Sequence, residues 1–391
     1  MVQGIALCVT YLPGLSVTYL AGSNPFHESG SFLSFDQKHL MTDAAYGLVS
    51  LMVFALSLIS VRLARIFALR KALLDMPNER SSHKIPVPRL GGAAFIPIVL
   101  IGLVALWWAG PLPLALKSAF LAGGIGLFAI SLVDDFCTLS TTYRFIVQFA
   151  AAGAVVAATL TAQPLGEGRM VEAYIASILV VGVVGLLNVY NFMDGIDGLA
   201  GVQAVVAGLA WWGCARYLGA PAAGSLGLLL AAGAMGFLTL NWPPAKIFMG
   251  DAGSTVLGFS FAVLPLLVWV EKKPAVGLFA LLSVALLVVW PFLADGTFTI
   301  FRRLRKRENI FKAHRSHLYQ RLVISGKSHL LVTVVYGVLA VIGSVLGWVV
   351  IRGFAWAMPL SAFVVLVLFG CLWRWTVESE KRAAARQMTV G

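Results

Sequence analysis

Eleven stretches of the chain run apolar for close to the 17–25 residues that a helix needs to cross a bilayer. They lie at about 44–66, 92–110, 114–133, 145–163, 171–190, 198–216, 221–240, 253–270, 276–300, 330–351 and 355–375. In hydrocarbon every backbone N–H and C=O must be paired within the chain, so segments of this length have to be helices. Several connectors, such as Gly110–Pro113 and Tyr217–Ala220, are so short that neighbouring helices must be antiparallel hairpins. The remaining composition agrees. Apolar types reach 59% and charged types only 12%, against roughly 45–50% and about 25% in soluble domains. The fold class is therefore all-α: a polytopic integral membrane protein of about eleven transmembrane helices.

The transmembrane part is predicted over 41–375, with a tail over 376–391. Residues 1–40 read as an N-terminal extension. It is broken by Pro13 and several glycines, and Met41 looks like a natural start. A weak twelfth span is the other reading of that stretch. No internal repeat is visible, and the four cysteines (Cys8, Cys137, Cys214, Cys371) form no CxxC pair and imply neither a disulfide framework nor a zinc site.

The net charge of +12 would suit nucleic acid, but the cations are distributed by side. The connections after odd-numbered spans, with the end of the first span and the C-terminal tail, hold 22 of the 29 Lys and Arg; the other side holds 7. The positive-inside rule places the odd connections and the C-terminus in the cytosol and the N-terminus outside. Topology thus accounts for the basic balance, and the expected surroundings are membrane lipid, not nucleic acid.

Carboxylates in membrane segments are costly. Six of the seventeen acidic residues sit at span ends: Asp134, Asp135, Asp194, Asp197, Asp251 and Asp295, all on the predicted cytosolic side. The first connection adds His83, Lys84 and Arg89, donors suited to an anion, with Pro86 and Pro88 holding it extended. Its Gly91-Gly92 permits close backbone approach. Asp134 and Asp135 repel each other, so one should resist ionising unless a cation intervenes. In Asn188-Val-Tyr-Asn-Phe-Met-Asp-Gly-Ile-Asp, steps of about 60° put Asn188, Asn191 and Asp194 on one helical face. Such oxygen-rich ligands suit Mg²⁺ or a polar substrate. Asp251, between Gly250 and Gly253 at a helix start, can serve a metal beside a phosphate, and Phe248 can stack on a base. His314, His317 and Arg321 are spaced for one side of a helix, a cationic surface for a diphosphate.

Together these segments resemble the polyprenyl-phosphate N-acetylhexosaminyl-1-phosphate transferases, from about Met41 to Trp375 and with the motifs in the family's order. The resemblance implies transfer of a HexNAc-1-phosphate from a UDP-HexNAc to undecaprenyl phosphate, releasing UMP, with Mg²⁺ (or Mn²⁺) as cofactor. It implies a multi-pass protein of the bacterial inner membrane with its active site facing the cytosol; homodimerisation stays open. Carried over by motif, Asp251 looks like the metal ligand, with Asn191 alongside. Asp134 and Asp135 match the pair that handles the lipid phosphate's proton, and Asp194, His314 and His317 complete the catalytic set. Lys84, Asp197 and Phe248 match uracil-holding positions, while Asn188, Gly250, Arg315 and Arg321 are the other substrate-binding candidates. The peptidoglycan branch, which transfers phospho-MurNAc-pentapeptide, carries a triple-His run where this chain has His-Arg-Ser-His. The O-antigen-initiating branch is therefore the better match. Direct attack by the lipid phosphate and an aspartyl-phosphate route both stay open. A transporter is disfavoured because span middles are Leu, Val, Ala and Gly. A CDP-alcohol phosphotransferase is disfavoured because its Asp-Gly-x-x-Ala-Arg signature is missing.

Overall fold

Each apolar run is helical. The helices are α1 (Ser29–Arg70), α2 (Gly91–Trp107), α3 (Leu114–Phe136), α4 (Thr141–Ala162), α5 (Arg169–Phe192), α6 (Leu199–Tyr217), α7 (Pro221–Asn241), α8 (Asp251–Lys272), α9 (Leu278–Val288), α10 (Trp290–Arg305), α11 (Leu318–Ile324), α12 (His329–Ile351) and α13 (Ala357–Val390). A two-residue antiparallel ribbon, β1 (Leu74–Asp75) with β2 (Val87–Pro88), lies between α1 and α2. The computed structural model describes residues 29–390 apart from 77–84, 109, 138, 273–276 and 310–313. His83, Lys84 and most of the predicted 1–40 extension lie outside the described residues. Residues 46–391 pack as one unit.

Local chemistry sets the helix boundaries. Ser140 accepts the Thr142 N–H at the start of α4 and Ser328 the Leu331 N–H at the start of α12, each satisfying a donor that has no intrahelical partner. Pro221 opens α7, where its missing N–H is not needed.

Among the described residues, eight helices are long and apolar enough to cross a membrane, and α9 with α10 would make a ninth. The single span predicted over 276–300 is a correction: α9 and α10 meet at an angle of 80°. Pro291 stands in the first turn after the break, where its ring and missing N–H prevent a straight continuation. The tail predicted over 376–391 is helical as far as Val390, as a continuation of α13.

The core forms around α8. Its apolar window is 94% buried, against 22% for α1 and 17% for α13. Small residues make that position tenable. A side chain at Gly258 would meet Leu187 and Tyr190 of α5, and one at Gly92 would meet the backbone of Gly253. The close approach expected of Gly91-Gly92 is thus realised: their N–H groups donate to Phe248 and Met249 carbonyls at 2.9 and 2.7 Å. Outer helices leave large apolar side chains exposed, among them Leu51, Leu63, Ile146, Val181, Phe363 and Leu366, as lipid-facing surfaces do.

Candidate active site

The hairpin geometry brings the C-terminal ends of α3 and α5 and the N-terminal ends of α4 and α8 to the same end of the bundle. Four of the six span-end carboxylates and two arginines come together there. Asp135, at the end of α3, accepts the N–H of Asp251 at 3.0 Å and that of Ala252 at 3.2 Å. It thereby caps α8 from another helix, satisfying two orphan donors and complementing the helix dipole. Gly250 has φ +78°, and a β-carbon there would press on the Asp135 carboxylate. This turn accepts only glycine without strain.

Arg89 follows β2 and pairs alongside the backbone of Phe248. Its guanidinium lies 3.2 Å from Asp135 and 3.1 Å from Asp251. Burial opposes its charge, but Asp135 and Asp251 more than offset this and its pKa is raised. Arg144, in the first turn of α4, lies 2.5 Å from Asp134 and 3.7 Å from Asp251. The second Asp134 oxygen accepts the Leu139 N–H at 2.8 Å. The cations that the adjacent carboxylates needed are therefore one arginine for each. Asp194, just beyond the end of α5, has its pKa pushed up to about 7 by burial and by Asp251 and Asp135, with Arg89 opposing. That value lies near the working range of a general acid or base.

The single helical face predicted for Asn188, Asn191 and Asp194 is corrected, because α5 ends at Phe192 and Asp194 lies past it. Asn188 turns to α4 and donates to Gln148 at 2.8 Å. Asn191 turns to α8 and accepts the Ser254 hydroxyl at 2.5 Å. Asp197 is buried. It accepts the Ala245 N–H at 3.1 Å and lies 3.2 Å from His329 Nδ1, at the start of α12. It thus holds the loop that carries Phe248 from beneath. Phe248 itself is half-buried, with its N–H donating to Pro88.

The predicted helical His-Arg face is also corrected. α11 begins only at Leu318, so His314 lies outside any helix and His317 is the extended residue that caps the helix start. Arg321 is engaged by Glu380 of α13 in a two-point pair, both contacts at 2.7 Å. Burial, with His317 and Arg303, lowers the His314 pKa to about 4, so that ring is neutral at ordinary pH. Beneath the loop lies Asp295 of α10, with no exposed surface. It accepts the Leu318 and Tyr319 N–H groups at 2.8 and 3.2 Å and the Tyr336 hydroxyl at 2.7 Å. His317 Nδ1 is 3.4 Å away. The Tyr319 hydroxyl reaches the Phe192 carbonyl at 3.0 Å, which ties the His loop to the end of α5.

Among the described residues no three His, Cys, Asp or Glu side chains are gathered to hold a metal. That does not conflict with Mg²⁺, which is commonly held by one or two carboxylates with substrate phosphates and waters completing the shell. Asp251, Asp194 and Asn191 supply oxygens only, the donor chemistry such an ion prefers.

With this geometry in view, the relatives are decisive. The family model described as glycosyl transferase family 4 matches residues 118–269, which include Asp134, Asp135, Asp194 and Asp251. A probable undecaprenyl-phosphate N-acetylglucosaminyl 1-phosphate transferase of Bacillus subtilis is 29% identical over 80% of this chain and 86% of its own length. An undecaprenyl-phosphate alpha-N-acetylglucosaminyl 1-phosphate transferase of Haemophilus influenzae is 32% identical, over 80% of this chain and 92% of its own. A decaprenyl-phosphate N-acetylglucosaminephosphotransferase of Mycobacterium leprae is 30% identical over 85% and 94%. The chain belongs to the polyprenyl-phosphate N-acetylhexosaminyl-1-phosphate transferases.

In this transferase, sequence reasoning found the carboxylates and missed most of their partners. Arg144 carries a signal, since it is a cation one turn into the helix that follows the acidic pair. Gln148, Ser254 and His329 carry none until the helices are packed. Asp295 was visible as a span-end carboxylate, but its role as the anchor of the His loop was not.

Proposed function

We propose that this transferase moves a HexNAc-1-phosphate from a UDP-HexNAc to undecaprenyl phosphate, giving undecaprenyl-diphosphate-HexNAc and UMP. One observation supports the reading above all: Asp134, Asp135 and Asp251 meet Arg89 and Arg144 at a single end of the bundle. Two phosphate-bearing substrates repel, so the site needs cations in a water-poor place and groups that release those cations on demand. Arginines already paired to carboxylates are such a store, and their planar donors suit phosphate oxygens.

The acceptor monoester is mostly dianionic near neutral pH, with a second pKa of about 6. It can attack the β-phosphorus of the UDP-sugar directly while UMP leaves with the electron pair of the broken P–O bond. Arg89 and Arg144 then neutralise the crowded oxygens. Mg²⁺, or Mn²⁺ in its place, would be held by Asp251 with Asn191 and would supply further neutralisation of the diphosphate. Asp134 and Asp135 are the groups assigned to the acceptor's proton, although both also brace helix ends here. Phe248 and Asp197 are assigned to the uridine. The charge count supports a plasma-membrane protein whose site opens to the cytosol, where the nucleotide sugar is. The His-Arg-Ser-His loop supports O-antigen or related surface-glycan initiation over peptidoglycan synthesis. A transporter is supported less. The hydroxyl of Ser260, near the middle of α8, merely bonds the Val256 carbonyl one turn back.

The test is transfer of radiolabel from a panel of UDP-HexNAc donors, and from UDP-MurNAc-pentapeptide, by the purified chain with and without undecaprenyl phosphate. Label should enter the organic phase only with the lipid and with Mg²⁺, alongside UMP. No lipid-linked label from any donor would refute the reading, and label from the pentapeptide donor alone would move the chain to the peptidoglycan branch.

A further inference from the structure

The stretch after residue 375, predicted as a cytosolic tail, continues α13 as helix and meets α11, the helix that follows the His loop. Glu380 receives both the Nε and an Nη of Arg321 at 2.7 Å. The arginine side chain is 13% exposed and the glutamate 39%. This two-point geometry fixes an arginine in direction as well as in place. One helix away, Arg302 of α10 donates to the carbonyl of Ser316 at 2.7 Å, and Ser316 lies between His314 and His317. Arg302 is within electrostatic reach of both Arg321 and Glu380. Arg302 thus holds the loop directly, while Arg321, in the helix that follows the loop, is fixed by the carboxylate of α13.

We propose that the extension of α13 is part of the active-site scaffold and that Glu380 is a positioning residue for the His loop. On this assignment, which rests on the transferase reading above, Arg321 is the arm through which α13 holds α11. It is not itself a ligand of the diphosphate. Asp295 pins the loop from within the membrane side, and the Arg321–Glu380 pair pins it from the water side. Loss of Glu380 leaves Arg302 and Arg321 to repel across the loop, so His314 and His317 lose their fixed placement while the substrate pockets stay whole.

The test uses the full chain in detergent with Mg²⁺, and compares wild type with Glu380→Gln, Glu380→Asp, Arg321→Glu and the exchanged pair Arg321→Glu/Glu380→Arg. Two quantities are read: steady-state transfer, and hydrogen–deuterium exchange of the peptide covering 314–324. Glu380→Gln should lower kcat about 5-fold, the upper end for a pair exposed on one side. KM for the UDP-sugar should change by less than about 2-fold, and exchange of the peptide should rise. Glu380→Asp, which keeps the charge, should fall between wild type and the Gln variant. The exchanged pair should recover both readouts. Unchanged kcat and exchange in Glu380→Gln would overturn the proposal. So would an exchanged pair that restores protection but not activity, since Arg321 would then touch substrate itself. If wild type shows no transfer, the functional reading fails while the exchange readout still decides whether α13 holds the loop.

Discussion

Asp251 and Asp295 are both carboxylates at the margins of apolar helices, and they solve the cost of that position in opposite ways. Asp251 keeps 21% of its side chain exposed and is neutralised by two guanidiniums that also serve Asp135 and Asp134. Asp295 has no exposed surface and is satisfied by two backbone N–H groups and the hydroxyls of Tyr336 and Thr299. Guanidinium pairing can be exchanged for a phosphate or a cation without moving the backbone. Bonds from Leu318 and Tyr319 N–H cannot, because they define where α11 begins. The first arrangement is adapted to a reaction and the second to architecture, although both look alike as span-end aspartates.

The widest separation between the two should come from neutral, same-shape substitutions. Asp251→Asn removes one charge and leaves the helix start intact, so protein level and melting temperature should hold. Transfer should fall by about 10²-fold or more, as when a preorganised electrostatic element is lost. Retained activity with an unchanged Mg²⁺ optimum would contradict the assignment. Asp295→Asn should do the reverse at the level of the fold. Its new NH₂ would face N–H and O–H donors, and leaving buried donors unmatched costs about 1–3 kcal/mol each. Thermal unfolding in detergent should show a large drop in stability, and any folded fraction should have a disordered His loop. A stable Asp295→Asn protein that is merely inactive would move Asp295 to the catalytic side of the comparison.

How much of this was legible in the sequence follows the same division. The helices were legible, because hydrocarbon leaves a long apolar run no alternative, and each predicted run is helical. The break within 276–300 was not separable by hydropathy, since Leu278–Val288 and the residues after it are both apolar. Pro291 was the available sign. The acidic cluster was legible by side and by sequence order. Its cations were not, because Arg89 and Asp251 are 162 positions apart and only helix packing joins them. The His motif misled because a spacing of three suggests a helix face. Gln320 offered the correcting signal: its side chain accepts the His317 N–H at 3.3 Å, which marks His317 as lying before the helix.

Phe248 sharpens the comparison on the acidic side. Its N–H donates to Pro88 and its carbonyl accepts from Gly91, so the backbone is held whatever side chain it bears. Stacking of a base on an aromatic is worth about 1–3 kcal/mol. Phe248→Ala should therefore raise KM for the UDP-sugar by about 5- to 100-fold and leave KM for undecaprenyl phosphate nearly unchanged. Varying each substrate in turn on the purified variant checks this. A rise in the lipid KM alone would place Phe248 along the lipid chain and reverse the orientation of the site.

The smallest effect belongs to the His loop and is a matter of pH. His314 is held at a pKa of about 4 by burial, by His317 and by Arg303, below the roughly 6.5 of an unfolded histidine. Above pH ~6.5 the ring is neutral in both states and contributes no pH dependence. As pH falls from there toward 4, the unfolded chain takes up the proton first, so folded stability declines across that window. Below about 4 both states carry the proton and the decline from this group ends. Carboxylates titrate nearby, so the readout must be a difference between proteins. The melting temperature of wild type, followed from about pH 8 to about pH 4, should fall more steeply below pH ~6.5 than that of His314→Gln, and the two curves should run parallel above it. Ser316 donates to or accepts from His314 Nδ1 at 2.9 Å, and glutamine can keep such a contact, which isolates the proton as the cause. Parallel curves throughout would mean that the folded protein binds the His314 proton as readily as the unfolded chain does, below pH ~6.5. The loop would then present the cationic surface that its sequence suggested, and the contrast with the arginine-paired cluster would narrow.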